Sequence, residues 1–416
     1  MEARKLGLYL HIPFCVRKCN YCDFLSAPSD EESRSVYVNA LCHQIREAGA
    51  KMKSSYAVDT IFFGGGTPSI LTGEQLAQIL GEMKASFLVA EDAEITIECN
   101  PGTADCRKLK QLRQAGFNRL SIGLQTADND QLKLLGRIHT WEQFCRIWEE
   151  AAEAGFTNCS VDLISALPGQ TVESLRQTLN QVLTLTPPPA HLSAYSLIVE
   201  EGTPFFERYG DGNGLPDEEE TLAMDRLIWS VMEEWGYERY EISNYAKPGC
   251  ASRHNRKYWD CDEYLGLGLG ASSYLRSDCG LCQSVQGTET EATENAAVSL
   301  QNREKEDSRY VRLKCRSGLT AYWNQKEVGS WWEEILPVTK KEEMEEYMFL
   351  GLRKTEGIAA DAFEQRFGCP PEEIYGTVMD KYIGLGLMVW ERNRLFLTQA
   401  GMEVSNQIMA DFLLDS

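Results

Sequence analysis

The sequence predicts an α/β chain, a partial (β/α)6 TIM-like barrel followed by a small C-terminal helical, winged-helix-like domain. Three observations point there. Six short apolar runs alternate with amphipathic stretches between residue 6 and about residue 200. The runs are mostly continuous, as strands buried on both faces of a parallel sheet must be. Beyond about residue 215 the alternation stops, and glycine-rich and then helical sequence follows. A chain of 416 residues exceeds one ordinary core and suits one large domain with one or two smaller units.

Taken in order, the candidate strands are LGLYLHI (6–12), TIFFGG (60–65), EITIEC (94–99), RLSIGL (119–124), SVDLIS (160–165) and HLSAYSL (191–197). Between them lie helical segments such as SVYVNALCHQIREAGAKM, TGEQLAQILGEMKASF and CRKLKQLRQAG. Several end near a glycine, the residue that best adopts the left-handed helix cap. Strand–helix repeats of this kind build βα units in a parallel sheet. An open doubly wound sheet shares the signature; we favour a barrel, partial because six units are present and not eight. These units give a core barrel over 1–236. EEETLAMDRLIWSVMEEWGYERYEISNY reads as a long helix entering a strand. A connecting region, 237–335, holds the loop-rich KPGCASRHNRKYW and EYLGLGLGASSY and a polar, low-complexity insertion at 283–308. In 336–416, KKEEMEEYMFLGLRKT, AADAFEQRFG and EEIYGTVMDKYIGLG are helical and WERNRLFL is a hairpin, which is the winged-helix pattern.

Composition narrows the function. Forty-one basic residues against 62 acidic ones leave a formal charge of −21. Such a surface repels phosphate backbones, so nucleic acid is excluded as a partner. No run approaches the roughly 18 apolar residues of a membrane span. His11 and Pro13 interrupt the apolar start LGLYLHIPF, which argues against a secretory signal. The expected compartment is therefore the cytoplasm, where thiols stay reduced. The 14 cysteines are then free thiols or metal ligands, not a disulfide framework.

HIPFCVRKCNYCDF holds Cys15, Cys19 and Cys22 immediately after the first strand. Iron–sulfur clusters are usually held by four thiolates. Three would hold three irons of a [4Fe–4S] cube and leave the fourth open to an outside ligand, as catalytic zinc sites keep a position open. A loop after a strand lies on the face where parallel βα folds place their active sites. Half of a zinc site is the competing possibility, and Cys279 and Cys282 are the one further CxxC pair that could complete it. A second cluster, FFGGGTPS, brings Gly64, Gly65, Gly66 and Thr67 to the end of the second strand, where backbone can approach a ligand closely.

The CxxxCxxC spacing, with Tyr21 before its last cysteine, resembles the signature of the radical S-adenosylmethionine (SAM) superfamily. TIECNP, RLSIGLQ, LGRIHT, SVDLISALPGQT, HLSAYSLIVEEGTPF, RHNRKYW, LGLRKTEGI and LTQAGMEVSNQIMADFL together are similar to the oxygen-independent coproporphyrinogen III oxidase-like branch, and within it to the HemW-type heme chaperones. The resemblance implies a cluster on Cys15, Cys19 and Cys22, with SAM on its open iron. By position it implies SAM contacts from Tyr9, Gly65, Gly66, Thr67, Glu98, Gln125, Arg137 and Asp162. Carboxylates suit an amino group or hydroxyls, and an arginine can fork onto a carboxylate.

Two features separate oxidase from chaperone. The oxidases resemble CxxxCxxCxC, whereas Phe24 stands here at the fourth cysteine's place. They also carry a long arm before the first strand, and only a handful of residues precede it here. Both point to the chaperone type, with coproporphyrinogen decarboxylation or anaerobic heme ring opening and methylation as alternatives. HNRKYW resembles the HNxxYW motif of the chaperones. It implies heme binding, with His254 a candidate iron ligand and Tyr258 and Trp259 candidate porphyrin-stacking groups. Ser272 stands where related proteins have histidine. The implied partners are heme or a related tetrapyrrole, a client hemoprotein and an electron donor for the cluster. His11 is expected under the cysteine loop, His139 and His191 in structural positions, and the Cys279–Cys282 pair in an inert loop.

Overall fold

Helix starts are written into the sequence. Thr72, Thr140, Thr171 and Thr339 each accept a hydrogen bond from the backbone three residues on, and the residue there bonds back. Asp30 and Asp105 cap the helices Glu31–Met52 and Cys106–Ala115 in the simpler way. Gly116 ends the latter at φ 116°, where a side chain would be strained. The computed structural model in which these caps are seen describes residues 3–286, 308–325 and 328–414. The polar insertion expected at 283–308 falls outside the described residues except at its ends. Among the described residues no helix is long and apolar enough to cross a membrane.

Six parallel strands follow one another in space as in sequence: β1 (Arg4–Ile12), β2 (Tyr56–Gly65), β3 (Leu88–Cys99), β4 (Arg119–Gln125), β5 (Asn158–Ser165) and β6 (His191–Ser196). Sequential order is that of a barrel; a doubly wound sheet reverses its order at a switch point. β1 and β6 do not pair, so the barrel is open. All six expected strands are present. β2 and β3 begin several residues earlier than their apolar runs, with the extension paired at Ala57 and Leu88.

The region after 236 is more regular than its glycine content suggests. A hairpin, β7 (Glu238–Glu241) and β8 (Asn244–Ala246), adds to β6. On the other edge β9 (Tyr264–Leu267) pairs in parallel with β1, and β10 (Ser272–Arg276), β11 (Tyr310–Cys315) and β12 (Trp332–Val338) follow antiparallel. EYLGLGLGASSY, read as loop, therefore forms two strands of a 12-stranded sheet. Its glycines are required by contact: a Cβ on Gly266 would lie 2.2 Å from the Ser272 carbonyl oxygen. One apolar cluster runs from Leu6 to Ile335, and a second from Met348 to Phe412. The second is built from helices Lys340–Gly351, Ala360–Phe367 and Pro371–Gly384 and the hairpin Met388–Glu391 and Arg394–Leu397. A third strand, Ile358–Ala359, and two short closing helices add to it.

Candidate functional site at the mouth of the barrel

β1 ends at Ile12, and the chain turns at once into the cysteine loop. Three sets of bonds fix this loop over the strand ends. The Gly66 and Thr67 amides donate to the carbonyls of Ile12 (2.9 Å) and Phe14 (2.8 Å). The Asn20 side chain and amide donate to the carbonyls of Leu134 (2.8 Å) and Leu135 (3.0 Å). Beneath the loop, His11 is hydrogen-bonded to the Leu25 carbonyl at 2.8 Å and to Tyr9 Oη at 3.0 Å, so it packs where expected. A Cβ on Gly65 would sit 2.6 Å from the His11 ring, and one on Gly66 2.7 Å from the Phe14 oxygen and 3.0 Å from Cys15 Sγ. The glycines thus let the second strand end press against the cysteine loop.

The loop roofs a cavity that opens to solvent. Ten of the twelve expected site residues line it: Cys15, Cys19 and Cys22 from the loop; Gly65, Gly66 and Thr67 from the end of β2; and Glu98, Gln125, Arg137 and Asp162. Tyr9 and His254 are not among them. Thr67 donates to Cys15 Sγ at 3.5 Å, and Arg137 approaches Cys19 Sγ at 3.7 Å. Arg137 also donates to Asn100 Oδ1 (2.7 Å) and the Gly123 carbonyl (2.6 Å), while Asn100 donates to Thr67 at 2.8 Å. Asn100, Ser121 and Tyr195, which also line the cavity, were not singled out from sequence. The signal was present: Asn100 lies two residues after Glu98 in TIECNP, and Tyr195 lies in HLSAYSL.

The electrostatics are those of a cation site. Burial, and then the charge of Asp162, push the Glu98 carboxyl up to about 8. Asp162 is raised by burial as well, against two hydrogen bonds from Ser121 Oγ at 3.0 and 3.1 Å. By surface area both are half-buried, but the surface they show faces the cavity and not bulk water. Two carboxyls turned into one enclosed space resist ionising together, and a cationic ligand would relieve that. Gln125 takes φ 76° at the end of β4, and its Oε1, like Arg137 Nε, is buried without a partner. Groups so placed are free to meet a ligand.

Three thiols, close-fitting glycines, paired carboxyls and unpartnered polar atoms fit a [4Fe–4S] cluster with SAM beside it. Among the described residues no three His, Cys, Asp or Glu side chains are grouped to hold a single metal ion. This does not conflict with a cube, in which each thiolate meets a different iron. Cys99 also borders the cavity, but its thiol is turned toward Ser69 and Thr103. Cys279 and Cys282 lie elsewhere, both buried, with the Cys282 amide donating to Cys279 Sγ at 3.3 Å.

HNRKYW occupies a different layer. It forms a helix, Arg253–Trp259, capped by Ser252, where a loop was expected. The Arg253 and His254 amides donate to Glu94, both at 3.1 Å. One His254 ring nitrogen is bonded to Thr60 Oγ1 and the other to Tyr258 Oη, each at 2.9 Å, and the residue is 1% exposed. Its ring stacks on Phe62 at 5.2 Å and on Tyr9 at 6.5 Å. Glu94 lies four residues before Glu98 on β3, about 13 Å lower in the barrel at the usual strand rise. The helix therefore plugs the barrel below the cavity, with Tyr9 between the two. In this arrangement His254 offers no free nitrogen to an iron. Tyr258 meets Tyr264 edge-on at 4.7 Å, and Trp259 lies under Arg353 of the C-terminal domain at 4.5 Å. Ser272 is exposed at the start of β10. His191 is a buried structural residue, bonded to Ser160 at 2.7 Å and Tyr240 at 2.8 Å.

Comparison with known proteins agrees with this geometry. The radical SAM superfamily matches residues 9–182, and the HemN C-terminal domain matches 338–404. A heme chaperone HemW from Lactococcus lactis is 35% identical over 420 residues, covering 100% of this chain and 99% of that one. The Bacillus subtilis HemW is 35% identical over 412 residues, covering 97% and 98%. Among solved structures, coproporphyrinogen III oxidase (HemN) from Escherichia coli superimposes with a TM-score of 0.79. It is 22% identical, and the match covers 99% of this chain and 90% of that one. At that identity the likeness shows the fold.

Proposed function

The chain belongs to the HemW heme chaperone family, and from that premise we propose that it binds heme and passes it to client hemoproteins in the cytoplasm, using a [4Fe–4S] cluster and SAM held at the barrel mouth. The observation that carries the cofactor reading is the convergence of the three loop cysteines with Gly65–Thr67, Glu98, Gln125, Arg137 and Asp162 on one cavity. Cys15, Cys19 and Cys22 would hold the cluster. A reduced cluster beside SAM supplies one-electron chemistry. Around that pair the chain's own residues bind and orient. Gly65 and Gly66 admit the ligand close to the backbone. Glu98 and Asp162 receive positive charge, and a bound cation holds both as carboxylates. Arg137, tied to Asn100 and Gly123, presents its free Nε to a carboxylate. Tyr9, below the cavity, is hydrogen-bonded to His11 under the cysteine loop.

Phe24, exposed beside the third cysteine, favours the chaperone over a decarboxylase. The test is anaerobic: reconstitute the cluster, add dithionite, SAM and either heme or coproporphyrinogen, and follow 5′-deoxyadenosine and the tetrapyrrole. Stoichiometric heme retention, an unchanged tetrapyrrole and transfer to an apo-hemoprotein are expected. Formation of protoporphyrinogen would overturn the reading.

A further inference from the structure

Below the cavity the barrel holds a cation with no counter-charge against it. Arg119 is 2% exposed, and its Nε is buried without a hydrogen-bond partner. Among the described residues no carboxylate lies within ion-pair range of its guanidinium. Arg119 pairs in register with Thr96 on β3 and with Asn158 on β5. All three are on the inward face, because Glu98, Ser121 and Asp162, an even number of residues further along the same strands, line the cavity. Thr96 Oγ1 and Asn158 Oδ1 are also buried without partners. One row across three neighbouring strands therefore carries three unpartnered polar groups, about 7 Å below Ser121 at the usual strand rise.

The groups that feel the charge of Arg119 are already engaged. They are Asp162, His191, Tyr240 and His254. Asp162 is held by Ser121, His191 by Ser160 and Tyr240, and His254 by Thr60 and Tyr258. Glu94, lower on β3, accepts from the Arg253 and His254 amides. A buried charge without a counter-charge is costly, and open polar groups beside it are free to take a ligand. All three groups of the row can donate: a guanidinium N–H, a hydroxyl, and a terminal amide that presents its NH2 when turned about its last bond. Donors around a cation select an anion.

We propose that a small monovalent anion, carboxylate- or halide-sized, binds inside the barrel on Arg119, Thr96 and Asn158. It neutralises the guanidinium and fastens β3, β4 and β5 together below the SAM cavity. The site goes beyond the chaperone reading and does not depend on it.

The test uses the full chain with its cluster reconstituted, under anaerobic conditions. Urea midpoints are measured as formate replaces gluconate, an anion too bulky for the barrel, at constant ionic strength. The wild-type midpoint should rise with formate, by equal steps for each tenfold increase once the site fills. Arg119→Met removes the charge and keeps an unbranched side chain in its place. Its midpoint should not respond to formate and in gluconate should at least equal that of the wild type. Crystals of the wild type grown in bromide, which need no variant to fold, should show an anomalous peak within hydrogen-bond distance of the Arg119 guanidinium. Equal formate responses in the two proteins, or an ordered water there with no bromide peak, would overturn the site.

Discussion

Gly66→Ala is the smallest change that should separate cluster binding from folding. Its added methyl would lie 2.7 Å from the Phe14 oxygen, 3.0 Å from the Phe14 nitrogen and 3.0 Å from Cys15 Sγ. Two of these neighbours are backbone, so no side chain can swing aside. Restoring an ordinary 3.4 Å contact moves the cysteine loop by about 0.7 Å relative to the end of β2. That movement strains the amide bonds from Gly66 to Ile12 and from Thr67 to Phe14, which hold the loop in place. Overpacking of this kind costs about 1–3 kcal/mol, roughly a tenfold to hundredfold change in an equilibrium constant. The cost falls on the loop, at whose start Phe14 joins the larger apolar cluster, and leaves the C-terminal cluster untouched. Iron and sulfide per chain after anaerobic reconstitution, and SAM affinity by equilibrium dialysis, should drop in that range with circular dichroism unchanged. Wild-type cluster content together with wild-type SAM affinity would refute the idea that this close approach shapes the site.

Acid should loosen the barrel. Burial, then Lys257 and Arg119, bring His254 down to about 3; burial, then Arg137, brings His139 down to about 3; and His191 is lowered well below its usual range by burial. Each takes up a proton more readily when unfolded, so the stability it contributes is complete above about pH 6.5 and is lost progressively as pH falls below that. Glu98, raised to about 8 from 4.5, works in the opposite sense between those values. Asp162, raised by burial, works in the same sense as Glu98. The histidines, lowered across the range below about pH 6.5, are expected to outweigh them, and a urea midpoint that does not fall from pH 7 to pH 5 would contradict this. Glu343 is 1% exposed between Arg309 (3.0 Å) and Arg366 (2.7 Å), where the C-terminal domain meets the sheet. Glu343→Gln should lower unfolding stability by about 1–3 kcal/mol, since Arg309 keeps contact with solvent, read as a lower denaturation midpoint. Replacing Cys279 and Cys282 together by serine should leave iron content unchanged, whereas alanine at Cys15, Cys19 or Cys22 should abolish it.

The parallel strands and the cysteine loop were legible because both are local patterns. A buried strand needs a continuous apolar run, and a three-point cluster site needs its thiols within one loop. The glycines after β2 were legible for a related reason, since nothing else permits the approach of Gly66 to Cys15. Other features depend on partners distant in sequence. The barrel order was chosen by pairing between strands 20 or more residues apart, which periodicity does not encode. HNRKYW read as a heme-facing loop because histidine and aromatics suit a porphyrin. Its burial depends on Thr60, Glu94 and Tyr9, which close around it only when the sheet curls. Sequence by itself determined which residues could hold iron, sulfonium and carboxylate, because side-chain chemistry belongs to the residue. Tertiary structure decided which of them face a common cavity and which are sealed below it, because burial and proximity belong to the packed chain.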